Sequence, residues 1–375
     1  MKILLGGIPL GCDNIGDEAI IACVVKMLKS SLSDVELTVA TKDPATAALL
    51  GVAVVPPFGF AGCGLAGFAD VARRHDAYVW CGATGLSDYP HVALDLLEAA
   101  QGAGVPTFIW GVGMDDELNP AFFKAHGKRR LLLGIFGLVG WYERRLRDRL
   151  ARRIAATLPK CRGVWLRDPQ SAAMLAATGF PGAKVAADTA ILFFARSGDS
   201  GKSGAGRSLG LCISTQRQVA DLDGVKSLIA TVRESGAKVL GIPMNLKTDR
   251  RLLERLGVEC IAGTTPEAVA EAAEQCDAVL SSRLHLLILA ANVGTPILGI
   301  ARGSKLANWL DNFGRKVEGD VFACDWNLVT KHVLAALNDR GDWGAVRDAA
   351  YAKLTNRLEK ARKELVERLE ACRAG

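Results

Sequence analysis

The stretch Asp277-Ala278-Val279-Leu280-Ser281-Ser282-Arg283-Leu284-His285 is followed by the apolar run Leu286 to Ala291 and then by Asn292-Val293-Gly294-Thr295-Pro296-Ile297-Leu298-Gly299-Ile300. An apolar strand ends in two serines, a helix opens with Arg283 and His285, and Gly294-Thr295-Pro296 leads into a second apolar strand. The pattern predicts a parallel strand-helix-strand crossover. In such a unit Ser281 or Ser282 serves as N-cap. The first helical turn then aims backbone N–H groups and the positive end of its dipole outward at the carboxyl end of a strand. Open α/β sheets bind ligands at that place, so Arg283 and His285 would stand beside an anion site. The plainer alternative is that Arg283 pairs or caps and that His285 is a satisfied core histidine.

Working outward, 375 residues exceed the size at which one core keeps growing, so two domains are expected. Half of the residues are hydrophobic, 23% are charged and 40 are glycine, which suits an α/β protein rich in strand-to-helix turns and excludes a disordered chain. The net charge of +6 is modest and unevenly placed, pointing to anionic ligands or a membrane surface and not to nucleic acid. The 10 cysteines are scattered without a C-x-x-C pair, so they read as buried free thiols of a reducing compartment. No His/Cys/carboxylate cluster has metal-ligand spacing, and no metal is expected. The apolar run at Met1 to Leu5 is too short for a signal peptide, which predicts a cytoplasmic protein.

The first strand, Ile3 to Leu5, passes through Gly6-Gly7-Ile8-Pro9-Leu10-Gly11-Cys12-Asp13-Asn14-Ile15-Gly16 to a helix starting near Asp17-Glu18. The loop lacks the G-x-G-x-x-G spacing of a dinucleotide fingerprint, and phosphate binding and a close-packed turn are equal readings of it. Further strands are expected at 36–41, 52–55, 77–80, 107–110, 164–167 and 184–187, with helical patterns between them. This is the alternation of a doubly wound parallel sheet. The turns Cys81 to Leu86 and Gly111 to Asp116 would line the same rim as the first loop. Residues 1–195 thus read as an N-terminal Rossmann-like domain, 196–208 as a Gly/Ser-rich linker, 209–340 as a second Rossmann-like domain and 341–375 as an amphipathic helix. Gly201-Lys202-Ser203 in the linker is not a P-loop, because Arg196 stands where the first glycine of that motif belongs. The C-terminal helix repeats apolar residues at Val346, Ala350, Leu354, Leu358, Ala361, Leu365 and Leu369, for packing on its own domains or on a coiled-coil partner.

Lys124, Lys128, Arg129 and Arg130 precede the apolar run Leu131 to Tyr142, and six arginines between Arg144 and Arg153 follow it. Twelve residues cannot span a bilayer, which takes about 20. The segment 124–153 either lies in the headgroup region of an anionic membrane or forms a buried helix followed by a solvated basic one.

Gly11-x-x-Asn14-x-Gly16-Asp17-Glu18-Ala19, Arg167-Asp168 with Ser171, Asp188, Pro243-Met244, and Ser282-Arg283-Leu284-His285 with Gly294-x-Pro296 and Lys305 together resemble the polysaccharide pyruvyltransferase family. The match runs in order from about residue 1 to about residue 310. The resemblance implies two Rossmann-like doubly wound domains facing a cleft, as in the GT-B glycosyltransferases. It also implies transfer of pyruvate from phosphoenolpyruvate to a sugar of a cell-surface polysaccharide, or its lipid-linked precursor, as a ketal. The N-terminal domain would then hold the acceptor and the C-terminal one the donor, with no further cofactor, in the cytoplasm or peripherally at the inner face of the plasma membrane.

Such chemistry protonates the methylene carbon of the donor, makes the central carbon electrophilic, and adds two hydroxyls with loss of phosphate. Histidine is the side chain with an unperturbed pKa near neutrality, and His285 matches the family's proposed acid. Arg283 would anchor phosphoenolpyruvate, with Arg167, Ser282 and Lys305 as further donor contacts. Asn14 and Asp17 would face the cleft from the other domain, Asn14 binding sugar hydroxyls and Asp17 acting as a base, although capping explains Asp17 too. Two departures, Cys81-Gly82-Ala83-Thr84-Gly85 and Asp188-Thr189, bear on the acceptor more than on the donor. The competing readings are a glycosyltransferase with a nucleotide-sugar donor and a non-catalytic sugar- or phosphate-binding module.

Overall fold

The computed structural model describes residues 1–116, 118–193, 207–214 and 221–373. The Gly201-Lys202-Ser203 run and linker positions 196–206 lie outside the described residues. The chain divides into two compact units, one of residues 1–12, 24–188 and 357–375 and the other of residues 13–23 and 189–356.

The first unit is built on a seven-stranded sheet of β1 (Lys2–Leu10), β2 (Glu36–Thr41), β3 (Ala53–Val55), β4 (Ala77–Cys81), β5 (Thr107–Val112), β6 (Gly163–Leu166) and β7 (Lys184–Val185). Every pairing is parallel and the order is β3-β2-β1-β4-β5-β6-β7. The central strands are buried on both faces, which is why β4 and β5 read as unbroken apolar runs. One face packs Tyr78, Trp80 and Ile109 against Leu94 and Leu97 of the helix Pro90–Gly102 and Ile154 of the helix Val139–Thr157. β1 is longer than the three residues expected. Its register breaks between Leu5 and Leu10, and Leu10 returns to pair with Thr41, so half of the glycine-rich loop is strand.

The second unit repeats the plan with β8 (Ser208–Cys212), β9 (Lys238–Gly241), β10 (Glu259–Cys260), β11 (Ala278–Ser281), β12 (Ile297–Ala301) and β13 (Gly319–Asp320). These are ordered β10-β9-β8-β11-β12-β13, all parallel. Its core joins Leu209, Leu211 and Leu280 to Val225 and Leu228 of the helix Leu222–Glu234 and to Val329 and Val333 of the helix Trp326–Asn338. In both sheets the order reverses once, beside the first strand, and such a reversal splays the loops at the carboxyl ends of two neighbouring strands apart.

The C-terminal helix runs Trp343–Arg373. Its residues group with the second unit up to Asn356 and with the first from Arg357. Leu358, Leu365 and Leu369 are fully buried, so the apolar stripe is covered by the chain itself. All ten cysteines are free; Cys23, Cys81, Cys212 and Cys276 are buried and the other six half-buried.

The apolar run 131–142 corrects one expectation. It forms two helices, Gly127–Ile135 and Val139–Thr157, broken at 136–138 where Gly137 has φ 64°, and no residue of the first helix is buried. The buried-helix alternative is therefore overturned. Among the described residues no helix is long and apolar enough to cross a membrane.

Candidate functional site

β11 lies between β8 and β12, with Ser281 opposite Cys212 on one side and Gly299 on the other. The order reverses between β8 and β11, so the loops leaving these two strands flank the crevice that a doubly wound sheet offers a ligand. From Ala278 to Arg302 every residue is buried except two, Arg283 and His285. In a segment otherwise given to the core, those two residues alone are partly exposed.

The serines are used differently from the expectation. The helix spans Leu284–Asn292 and its N-cap is Arg283, which makes no side-chain cap bond. Ser281 Oγ instead accepts the Arg283 N–H at 2.8 Å, closing a tight turn. Ser282 Oγ accepts the Ser214 N–H at 2.8 Å, and its own N–H donates to Cys212 O, so Ser282 fastens the β8 and β11 exits together. Both hydroxyls are committed before the helix begins, so neither serves as N-cap.

Arg283 meets a partner that sequence reading missed. Its Nε donates to Asp249 Oδ2 at 2.9 Å and its Nη2 to Asp249 Oδ1 at 2.8 Å, a two-pronged contact with a carboxylate that has no exposure. Burial opposes the charge of Arg283, yet the charge of Asp249 and these hydrogen bonds, with Asp17 adding to them, hold its pKa above the ordinary value. The expected pairing is present, and it fixes the plane of the guanidinium. Asp249 also accepts the Asn245 N–H, and the buried Cys212 thiol, its pKa pushed up by burial, lies on the same carboxylate.

The N-terminal motif is found within the same unit as Arg283 and His285, where the expectation set it across a cleft from them. Asp13 pairs with Lys247 at 2.6 Å, Asn14 forms an antiparallel bridge with Asn245, and the Ile15 N–H donates to Met244 O at 3.1 Å. These contacts dock the start of the helix Ile15–Ser31 onto the segment that follows β9. Asn14 Nδ2 donates to Asp17, a buried carboxylate. Gly16 lies against the imidazole: a β-carbon there would fall 2.3 Å from His285 Nδ1.

Arg302, also missed, follows β12. It is buried, and its Nη1 donates to Ser214 Oγ at 3.2 Å, on the residue that Ser282 anchors. The signal was a basic residue at a strand end before Gly303-Ser304, and Asp249 was marked by its place six residues after Pro243. Lys305 is half-buried in the first turn of the helix Ser304–Asp311, beyond the same strand. Among the described residues no group of three or more His, Cys, Asp or Glu is arranged to hold a metal.

Arg167 stands in the first unit, at the end of β6. It is buried, its Nε donates to Asp168 Oδ2 at 3.2 Å and its Nη1 lies 3.9 Å from Asp188 Oδ2. The guanidinium packs on Gly113, where a β-carbon would meet its Cζ at 2.3 Å. Two carboxylates thus already neutralise Arg167. Beside it, Asp168 caps the helix Pro169–Ala177 through the Ser171 N–H, and Ser171 Oγ accepts the Met114 N–H. The same unit has a cavity of about 620 Å³, lined in part by Asp115, Asp116, Lys124, Arg147 and Met174.

Solved structures with the same architecture include a UDP-N-acetylglucosamine 2-epimerase homologue from Listeria monocytogenes (TM-score 0.60, 12% identity, 94% of each chain covered). HepE of Anabaena in complex with UDP and glucose is similar (TM-score 0.58, 14% identity, 99% of each chain). So is the UDP-GlcNAc 2-epimerase of Neisseria meningitidis bound to UDP-GlcNAc (TM-score 0.56, 11% identity, 99% of this chain and 100% of that one). At such identities the likeness defines the fold: a GT-B protein of two Rossmann-like α/β units with a long C-terminal helix. No curated protein matches the sequence. The sequence model of the family described as polysaccharide pyruvyl transferase matches residues 14–304, and the chain belongs to that family.

Proposed function

We propose that this family member transfers the pyruvyl group of phosphoenolpyruvate onto two hydroxyls of a sugar, in a cell-surface polysaccharide or its lipid-linked precursor, on the cytoplasmic side of the membrane. The observation that carries the reading is the partial exposure of Arg283 and His285, and of no other residue between Ala278 and Arg302, where the sheet order reverses.

His285 gives a proton to the methylene carbon of the donor, converting it to the methyl group. The electron pair of the double bond forms the new C–H bond and leaves the central carbon electron-poor. One sugar hydroxyl adds there, phosphate leaves with the C–O electron pair, and the second hydroxyl closes the ketal. Of the two hydroxyl protons, one restores the imidazole and one leaves on phosphate, so the sum is donor plus diol to ketal plus inorganic phosphate. Asp17 relays the hydroxyl proton that leaves on phosphate, and Asn14, which donates to Asp17, orients that carboxylate. Arg283, with Arg302 and Lys305 as further cations beyond the neighbouring strand β12, holds the carboxylate and phosphate. Ser282 fixes the loop that carries Arg283. The enol phosphate is itself activated, so the reaction needs no metal or other cofactor. The acceptor hydroxyls are taken up beside Asn14 and Asp17, which belong to the same unit as His285.

The test incubates the protein with phosphoenolpyruvate and a panel of sugar acceptors, and in parallel with nucleotide sugars. Acceptor-dependent release of inorganic phosphate with a new ketal methyl signal in the NMR spectrum is expected, unchanged by EDTA. Consumption of a nucleotide sugar with phosphoenolpyruvate untouched would replace this reading by glycosyl transfer.

A further inference from the structure

The helices Gly127–Ile135 and Val139–Thr157 display side chains that a water-facing surface does not favour. Leu131 is 70% exposed, Leu132 59%, Ile135 70% and Phe136 71%, and Leu138 and Trp141 follow them into solvent. Contiguous large apolar side chains on the outside of a folded unit mark a contact surface.

Charge tells what makes the contact. Residues 124–153 contain ten lysines and arginines against two acids, Glu143 and Asp148. The whole chain carries +6, so its positive excess resides in this segment and the remainder is slightly acidic. Arg153 turns inward to Asp95 and Glu98, while Lys128, Arg129, Arg130, Arg144 and Arg145 are exposed around the apolar residues. The aromatic rings are tied to the same cations. Arg129 lies 5.6 Å from the ring centre of Tyr142 and donates to its hydroxyl, and Arg145 lies 5.3 Å from the ring of Trp141.

From this arrangement we infer that the helix pair is a docking surface for an anionic phospholipid bilayer. Leucine, isoleucine and phenylalanine side chains enter the acyl boundary, tryptophan and tyrosine sit at headgroup level, and the arginines pair with lipid phosphates. A nucleic-acid surface would meet the cations and leave six bulky aliphatic and aromatic side chains in water. Neither helix can span, so both lie in the plane of the interface. The inference stands apart from the transfer reaction, since vesicle binding is read without turnover.

The experiment is sedimentation of the full chain with sucrose-loaded vesicles of phosphatidylcholine, with and without phosphatidylglycerol. The protein is expected to pellet with the anionic vesicles, less so as salt screens the charges. L131D/F136D and R144E/R145E are each expected to lower the bound fraction about tenfold. All four positions are exposed, so circular dichroism and melting temperature should be unchanged and report a folding fault if they are not. Equal pelleting with neutral and anionic vesicles, or variants that bind like the parent, overturns the proposal. Absence of vesicle binding together with self-association that L131D/F136D abolishes would assign the surface to a second copy of this chain and overturn it as well.

Discussion

The backbone of Gly16 and the imidazole of His285 are in such close approach that a β-carbon at position 16 would lie 2.3 Å from Nδ1 and 2.4 Å from Cγ of the ring. No real side chain tolerates that separation, so the first turn of the N-terminal helix and the histidine can be neighbours only while residue 16 is glycine. Gly16→Ala must push the ring aside. On the proposed mechanism His285 is the acid and proton transfer depends on its placement, so turnover should fall at least tenfold, with an unchanged circular dichroism spectrum. Wild-type turnover in G16A would show that the ring position does not matter.

His285→Gln retains size and hydrogen bonding but removes the acid. On the proposed mechanism it loses about a hundredfold to ten-thousandfold in kcat, the range for a positioned general acid, while phosphoenolpyruvate still binds. Rapid-quench measurement of ketal formation, beside titration of donor binding, checks both halves. Ketal formation at the parental rate would remove His285 from the chemistry.

The Arg283–Asp249 pair makes a prediction about stability as well as activity. Asp249 is fully buried, so Asp249→Asn leaves the Arg283 charge without its counter-ion, and loss of one partner of a buried pair costs about 3–5 kcal/mol. The doubly apolar variant Asp249→Leu with Arg283→Met should recover much of that loss in urea unfolding and remain inactive. If D249N melts like the parent, the pair is not what holds the loop.

Much of this was legible in sequence because burial on both faces writes a strand as an apolar run: β4, β5, β11 and β12 are each buried throughout. The crossover that ends in Arg283 and His285 was readable for the same reason. Asp249 and Arg302 were not, since their meaning comes from partners 34 and 88 residues away. Nor was the docking of residues 13–16 onto 244–247, which rests on backbone bonds and one ion pair that carry no periodic signal. The run 131–142 misled in one of its two readings because apolar content alone does not say whether a face is covered by protein.

On the proposed reading, Arg302 adds one cation to the donor site. It hangs from Ser214, which Ser282 holds, so its guanidinium is oriented by the same stitch that fastens the β8 and β11 exits. A charged hydrogen bond contributes about 1.5–3 kcal/mol. Arg302→Met should therefore raise KM for phosphoenolpyruvate by roughly ten- to a hundredfold, with a smaller effect on kcat, and Arg302→Lys should recover part of it. An unaltered KM in R302M would confine donor binding to Arg283 and Lys305.

His91 sets a pH dependence of stability in the first unit. Its ring stacks on Phe123 at 5.6 Å and meets Phe122 edge-on at 5.5 Å. Burial lowers its pKa, as do the charges of Arg153 and Arg149, against a smaller opposing pull from Asp95. Protons therefore bind more readily to the unfolded chain, whose histidines titrate at about 6.5. The contribution is fully present above that value and declines as pH falls from there towards the folded pKa. The melting temperature should drop between pH 7.5 and 5.5, and His91→Gln, which cannot take up the proton, should drop by less over the same interval. Parallel curves for the two proteins would mean that the ring is protonated equally well in both states.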